Sequence, residues 1–197
     1  MRIVLASQSP SRLGILRSAG VEPVIRPADV DEDALLAELI DAPPAERVAA
    51  LASAKAAAVA DDFPDDVVIG CDSMLLLDGE LQGKPHTVDA TTERWRRQAG
   101  KTAELLTGHC IIRGSERVVD TATTRVFFAD ATDADIQAYA RSGEPLECAG
   151  AFTLEALGGW FIDRIEGDPS SVIGLSLPLL RRALYSFSLD VSDFWAR

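Results

Sequence analysis

Residues 67–77, VVIGCDSMLLL, form the apolar segment that surrounds Asp72. This apolar run is rich in residues that favour β-structure, and it predicts a strand over Val67–Leu77 with Asp78-Gly79 as the hairpin turn that follows. Gly70 removes side-chain bulk from the middle of the strand. We therefore expect a ligand to approach the backbone closely there.

Asp72 interrupts this run with a charge. A carboxylate in so apolar a segment is costly to bury unless it is paired, protonated or bound to a metal ion. These conditions suit a general base or a metal ligand, so Asp72 is the leading catalytic candidate. A strand-end aspartate that faces water would produce the same local sequence.

On either side of this strand, capping and turn signals divide the chain into short helices and strands. The other predicted strands are Arg2–Ala6, Val24–Arg26, Ala103–Arg113, Val118–Phe128 and Trp160–Ile165. The predicted helices are Pro10–Ser18, Asp31–Ile40, Ala45–Ala60, Asp89–Gln98, Thr132–Arg141, and Ser171–Phe187 with an interruption near Pro178. Because the elements alternate without a strict βαβ rhythm, we expect an α/β fold with a mixed sheet. The absence of a linker predicts one domain over residues 1–197, in which two lobes could enclose a cleft.

Composition restricts the class of protein. Apolar residues make up 47% of the chain and charged residues 25%, as in ordinary globular proteins. The formal charge of −12 argues against nucleic-acid binding, which needs clustered cations. No apolar run approaches the roughly 18 residues of a membrane span, and the N-terminus does not resemble a secretory signal. With three widely spaced cysteines that match no disulfide framework, we expect a cytoplasmic protein with reduced thiols.

A second candidate site lies before the first predicted helix, in Ser7-x-Ser9-Pro10-x-Arg12. Ser9 is a typical N-cap, and Pro10 suits the first helical position. The N-terminus of a helix carries partial positive charge, and the side chains of Ser7, Ser9 and Arg12 would add donors around a phosphate. A capped helix with a surface arginine would explain the same residues.

Lys55 lies on the apolar face of the predicted helix Ala45–Ala60, four residues from both Leu51 and Val59. A lysine in that position either extends to solvent along its aliphatic stem or meets an anion. The acidic run Asp31-Glu32-Asp33 opens the preceding helix, where negative charge is favourable. One of these carboxylates could also reach a metal ion.

Lys84 stands between Gly83 and Pro85, after the predicted hairpin. Held between a flexible and a rigid residue, its ammonium could be directed towards a phosphate, although a plain surface turn would look the same. His86 and His109 lack partners at metal-ligand spacing, so we expect no zinc site. The chain also lacks the Walker A and G-x-G-x-x-G nucleotide motifs.

Taken together, these stretches resemble the Maf family of nucleotide pyrophosphatases, which are related in fold to the inosine triphosphatases. The resemblance extends over nearly the whole chain, and the order and spacing of its segments make it specific. The segments are LASQSPSR (5–12), VDED (30–33), LASAKA (51–56), GCDS (70–73), QGKP (82–85), TGH (107–109), SGEP (142–145), AGAFTLEALGG (149–159) and IEGDPSSVIGLSLPLL (165–180).

The resemblance implies an elongated α/β molecule with a mixed sheet flanked by helices, two lobes with a central cleft, and often a homodimer. It implies Mg²⁺ or Mn²⁺ as the cofactor. In the family, the position matching Asp72 is regarded as the catalytic base. The phosphate and metal site is lined at positions matching Ser9, Arg12, Glu32, Lys55 and Lys84.

Several positions depart from the family pattern, among them Cys71 and Ser73, which are mild changes. Ser11 stands where an arginine is common, so one phosphate contact is lost or replaced. Glu155 stands where the dTTP- and UTP-cleaving branch usually has glutamine, and a branch acting on modified guanine nucleotides tends to have glutamate. A carboxylate can accept from the N1–H and amino group of guanine, whereas uracil or thymine also needs a donor. Ser176 replaces a usual proline, and we expect no consequence.

We therefore hypothesise a pyrophosphatase that cuts non-canonical or modified nucleoside triphosphates between the α and β phosphates. Asp72 would activate water, Glu32 and Asp72 would hold the metal ion, and Glu155 would contact the base. Charge on the phosphates would be stabilised by Arg12, Lys55, Lys84 and the helix N-terminus at Ser9. The alternatives are a low-turnover, nucleotide-binding regulator of septum formation and a monophosphate esterase that releases orthophosphate.

Overall fold

The computed structural model describes residues 1–196, and its elements follow the predicted alternation closely. The α-helices of the described residues are α1 (Pro10–Ser18), α2 (Glu32–Glu38), α3 (Pro44–Ala60), α4 (Val88–Gln98), α5 (Asp133–Arg141), α6 (Pro169–Ile173) and α7 (Leu177–Ser186). The strands are β1 (Ile3–Leu5), β2 (Val24–Ile25), β3 (Val67–Leu77), β4 (Glu80–Gln82), β5 (Thr102–Arg113), β6 (Glu116–Phe128) and β7 (Ile162–Glu166). Across residues 1–196, no helix combines the length and the apolar character needed to cross a bilayer.

The strands form one mixed sheet in the order β2-β1-β3-β5-β6-β7, with β4 paired to β3. Strand β1 runs parallel to β2 and β3, whereas β4 on β3 and β7 on β6 are antiparallel. Asp78 and Gly79 both have positive φ, 51° and 82°, as a tight two-residue hairpin turn requires. The predicted α/β class with a mixed sheet is confirmed.

Contacts divide the chain into two compact units. The first unit comprises residues 1–72, 107–122 and 174 onwards, and the second comprises 73–106 and 123–173. The single domain predicted over residues 1–197, with its central cleft, stays a prediction, and its last residue lies outside the described part of the chain.

In the first unit, α3 packs directly on the sheet through two glycines. A Cβ at Gly70 would lie 2.2 Å from the carbonyl oxygen of Ala52, and one at Gly108 would lie 2.3 Å from that of Val48. We expected a ligand to approach the backbone at Gly70, and this was wrong. The missing side chain makes room for helix α3. This close approach determines where the side chains of α3 lie over β3.

The second unit has its own core, centred on Trp95 of α4. Its ring packs edge-on against Phe128 and Tyr139, with centroids 5.5 and 5.6 Å apart. Its indole N–H donates to the carbonyl oxygen of Ala151 at 2.6 Å. The buried indole thus satisfies its polar atom and anchors the turn before residue 153.

Two expectations near the C-terminus were wrong, and a third was correct. Trp160 lies in a 3₁₀ turn over Leu157–Phe161 with 84% of its surface exposed, and β7 begins after it. The helix is interrupted at residues 174–176, close to Pro178 as predicted, and Pro178 itself lies in the first turn of α7. Ser176 does have a consequence, because its side chain caps α7 and its backbone N–H, which proline lacks, donates to His109 Nε2 at 2.8 Å.

Candidate active site

Asp72 lies in β3 with only 8% of its surface exposed. Side chains alternate along a strand, so Asp72 points to the same face as Gly70, the face on which α3 packs. From α3, Lys55 Nζ donates to Asp72 Oδ1 at 2.7 Å. The interpretation of Asp72 as a strand-end carboxylate facing water is therefore contradicted.

The Lys55 ammonium lies between two carboxylates. It is 2.9 Å from Glu32 Oε1 at the start of α2, in addition to its bond with Asp72. The Lys55 side chain is 12% exposed, so the lysine meets anions instead of extending to solvent. Glu32 is 48% exposed, which leaves the group accessible from the side of α2. We call Glu32, Lys55 and Asp72 the buried triad.

Burial changes the protonation chemistry of this strand. Burial raises the pKa of the Asp72 carboxyl, and the positive charges of Lys55 and Arg12 oppose that rise without cancelling it. Burial also raises the pKa of the neighbouring Cys71 thiol to about 11. Cys71 is therefore a neutral thiol at physiological pH and not a nucleophile.

Arg12 is fixed beside the start of α1. Ser9 caps the helix, since its Oγ accepts from the backbone N–H of Arg12 at 3.4 Å. The guanidinium turns back, with Nη1 donating to Ser7 Oγ at 3.2 Å and Nε donating to the carbonyl oxygen of Gly174 at 2.9 Å. Arg12 is half-buried, so the surface-arginine interpretation was wrong.

Lys84 in the second unit follows β4 and is held differently. Its Nζ is 3.4 Å from Glu147 Oε2, and the two side chains are 51% and 67% exposed. His86 Nδ1 lies 3.0 Å from the other oxygen of the same carboxylate. Sequence analysis missed Glu147, and no local pattern indicates it, because His86 and Glu147 are 61 positions apart. We call Lys84, His86 and Glu147 the exposed triad.

The predicted site residues fall into two sets. Glu155 is exposed in the segment after Phe152, where its Oε2 accepts from the backbone N–H of Leu154 at 3.1 Å. It belongs to the second unit with Lys84. The first unit holds Ser7, Ser9, Arg12, Glu32, Lys55 and Asp72.

Glu32 and Asp72 are the residues that could hold a hard divalent cation. The carboxylates of Glu32 and Asp72 converge on one cationic centre, the Lys55 ammonium. Among the described residues, no three His, Cys, Asp or Glu side chains form a metal-binding group. Mg²⁺ commonly takes one or two protein carboxylates and completes its shell with water and substrate phosphates. Two carboxylates therefore suit an ion that binds together with a phosphate ligand.

Comparison with known proteins establishes the family. The family model for Maf-like proteins matches residues 2–187. This chain belongs to the Maf family. A nucleoside triphosphate pyrophosphatase from Corynebacterium aurimucosum is 74% identical to the Maf chain over 100% of both. One of the same name from Nocardia farcinica is 57% identical over 98% of this chain and 96% of that protein.

A likeness to one solved structure is more distant. The Staphylococcus aureus Ham1 protein matches the Maf chain with a TM-score of 0.42 at 17% identity, over 66% of this chain and 73% of that one. A likeness this partial carries no argument, and the assignment rests on the family match and the close relatives.

Proposed function

We propose that this chain is a nucleoside triphosphate pyrophosphatase, which hydrolyses the bond between the α and β phosphates to release a nucleoside monophosphate and pyrophosphate. The buried triad carries the proposal, because it places a carboxylate of raised pKa beside an ammonium that is itself mostly buried. Membership of the Maf family supports it, as do the full-length relatives that carry this name.

Asp72 is the proposed general base. Its carboxylate would take a proton from the attacking water, and burial tunes it for this task by raising its pKa towards neutral pH. Lys55 holds the carboxylate in one orientation through Oδ1, which leaves Oδ2 to accept the proton. The same ammonium can turn part of its charge to a phosphate oxygen once the triphosphate binds.

The start of α1 is the proposed phosphate contact of the first unit. Free N–H groups at a helix N-terminus favour an anion, and the Ser7 hydroxyl orients the Arg12 guanidinium beside them. In the second unit, Lys84 is the proposed further contact. Its pair with Glu147 is exposed and therefore weak, so Lys84 can exchange that carboxylate for a phosphate at little cost.

We also propose Mg²⁺ or Mn²⁺ as the cofactor, held by Glu32 and Asp72. A bound divalent ion would neutralise charge on the phosphate oxygens and polarise the bond that breaks. Glu155 is the proposed contact to the nucleobase and fits a non-canonical or modified purine, whose N1–H and amino group a carboxylate can accept. A cytoplasmic homodimer that does not bind nucleic acid completes the proposal, in agreement with the charge of −12.

No observation favours the two alternatives over the enzyme. A regulator of septum formation needs no buried base beside a lysine, and the close relatives carry the name of an enzyme. A monophosphate esterase would share the metal chemistry but would release orthophosphate. The identity of the product therefore separates the three functions.

The test is a panel of standard and modified nucleoside triphosphates with Mg²⁺ or Mn²⁺, in which pyrophosphate and orthophosphate are measured separately. We expect pyrophosphate, and a loss of kcat/KM of roughly 10²–10⁴-fold in Asp72→Asn, the usual contribution of a general base. The matched control is Asp66→Asn, since Asp66 is also buried but binds Arg2. Nucleotide binding without turnover would favour the regulator, and orthophosphate as the product would favour the esterase.

A further inference from the structure

The carboxylate of Glu144 is the hydrogen-bonding centre of the segment that carries Glu155. Helix α5 ends at Arg141, and Gly143, with a φ of 82°, turns the chain so that Glu144 lies under residues 153–158. Its Oε1 accepts from Thr153 Oγ1 at 2.5 Å and from the Gly158 N–H at 3.1 Å. None of the proposed catalytic or binding roles involves this side chain.

Further donors complete the arrangement from both ends of the segment. Glu144 Oε2 accepts from the Leu157 N–H at 3.2 Å, and the Tyr139 hydroxyl donates to Oε1 at 3.2 Å. Partial burial raises the pKa of the Glu144 carboxyl, but hydrogen bonds led by Thr153 outweigh burial and hold that pKa below its usual value. Glu144 is therefore ionised and accepts charge-assisted hydrogen bonds.

The segment closes tightly on this carboxylate. A Cβ at Gly158 would lie 2.4 Å from the carbonyl oxygen of Thr153 and 2.5 Å from the Tyr139 hydroxyl oxygen, so only glycine fits there. Residues 153 and 158 are thus held together at the base of a short loop, and Glu155 is exposed at its tip. A loop whose two ends are both hydrogen-bonded to one partly buried carboxylate presents its tip in one position.

We infer that Glu144 is a positioning residue for nucleobase selectivity, which acts by clamping loop 153–158 so that Glu155 meets the base in a single geometry. The inference rests on the proposed function, because it takes Glu155 as the base contact. Loss of the hydrogen bonds between Glu144 and this loop would leave the proposed phosphate contacts of the first unit unchanged. It would reduce the selectivity of the enzyme among nucleobases. A purely structural role would instead lower activity on every nucleotide alike.

The experiment measures dissociation constants of non-hydrolysable purine and pyrimidine nucleoside triphosphate analogues, and kcat/KM for the hydrolysable nucleotides. We expect Glu144→Ala to reduce the ratio between preferred and disfavoured bases at least about tenfold, as loss of a hydrogen bond to a charged group would. Glu144→Gln keeps one acceptor oxygen and should give an intermediate loss. The matched control is Glu166→Gln, which removes a carboxylate of the same unit that binds Arg125.

A double variant tests the route through Glu155. If Glu144 acts through that residue, Glu144→Ala should reduce selectivity no further in a Glu155→Ala background, because the two changes act on one contact. Additive losses of selectivity would overturn the inference, as would unchanged selectivity in Glu144→Ala.

If the wild type binds nucleotides without cleaving them, the proposed function fails, but the ratios of the dissociation constants still test the role of Glu144. If Glu144→Ala does not fold, Tyr139→Phe and Glu144→Gln test the same clamp with smaller losses.

Discussion

Lys55 in the first unit and Lys84 in the second both pair with carboxylates, but the two pairs differ in their exposure to solvent. The Lys55 side chain is 12% exposed and bonds at 2.7 Å to a carboxylate that is itself buried, whereas Lys84 is 51% exposed and lies 3.4 Å from Glu147. A buried pair cannot lose one partner cheaply, because the other charge is left without solvent. An exposed pair exchanges partners readily, since water replaces each contact. The difference indicates that the buried triad is preorganised and the exposed triad is adaptable.

The largest difference between the two triads is expected in how much their lysines contribute to the stability of the protein. Lys55→Met removes the cation of the buried triad and should lower the free energy of unfolding by about 3–5 kcal/mol, the cost of breaking a buried ion pair. Lys84→Met should change it by less than about 1 kcal/mol, because its pair is exposed. Urea unfolding of both variants measures the difference. Equal destabilisation would show that the two triads are not held differently.

A second variant moves the helix that carries Lys55. Gly70→Ala would place a Cβ 2.2 Å from the carbonyl oxygen of Ala52, so α3 must shift at a cost of about 1–3 kcal/mol. Activity should fall with it, since Lys55 moves relative to Asp72. Gly14→Ala is the matched control, because no atom lies within 4 Å of the added Cβ. In a helix interior, that change should stabilise by about 1 kcal/mol.

The pH dependence of kcat/KM should depend on the buried triad alone. Only the ionised Asp72 carboxylate accepts a proton, and burial raises its pKa. Activity is therefore lost as the pH falls, with a midpoint above about 3.9, the value for an ordinary aspartate. Lys55→Met removes an opposing positive charge and should move the midpoint to higher pH, whereas Glu147→Gln should leave it in place. A midpoint indifferent to Lys55 would mean that another group limits the rate.

The smallest difference between the two triads is expected in how KM depends on salt concentration. Screening weakens exposed charges more than buried ones, so the contribution of Lys84 to KM should decline between about 0.05 and 0.5 M salt. The KM ratio between Lys84→Met and the wild type is the quantity to follow, and we expect it to fall a few-fold. The same ratio for Lys55→Met should change less. A steeper change for Lys55 would contradict its burial.

Local signals predicted most of the fold correctly. The strand Val67–Leu77 was predicted to the residue, and Thr132 and Ser9 cap the helices that they were expected to open. The errors lie where local signals compete. Trp160 has strong β-propensity, but it lies in the 3₁₀ turn Leu157–Phe161, whose first residue donates to Glu144, and β7 begins only at Ile162.

The sequence singled out the candidate residues but did not indicate which of them pair with each other. Periodicity placed Lys55 on the buried face of α3, and the apolar run singled out Asp72, yet neither pattern connects the two. Glu144 was part of a family segment without an assigned role. Its partners Tyr139, Thr153 and Gly158 lie in separate elements, so no short motif indicates the clamp.

Most of the secondary structure could be predicted from the sequence, because caps, turns and side-chain periodicity act within a few positions of the chain. The order of the family segments likewise indicated the family. Which charged side chains meet depends on the tertiary structure. Gly70 brings α3 against β3 closely enough for Lys55 to reach Asp72, and the chain end of α5 brings Glu144 under the loop of Glu155. Contacts of this kind depend on how packed elements approach each other, and that distance is set by side chains far apart in the sequence.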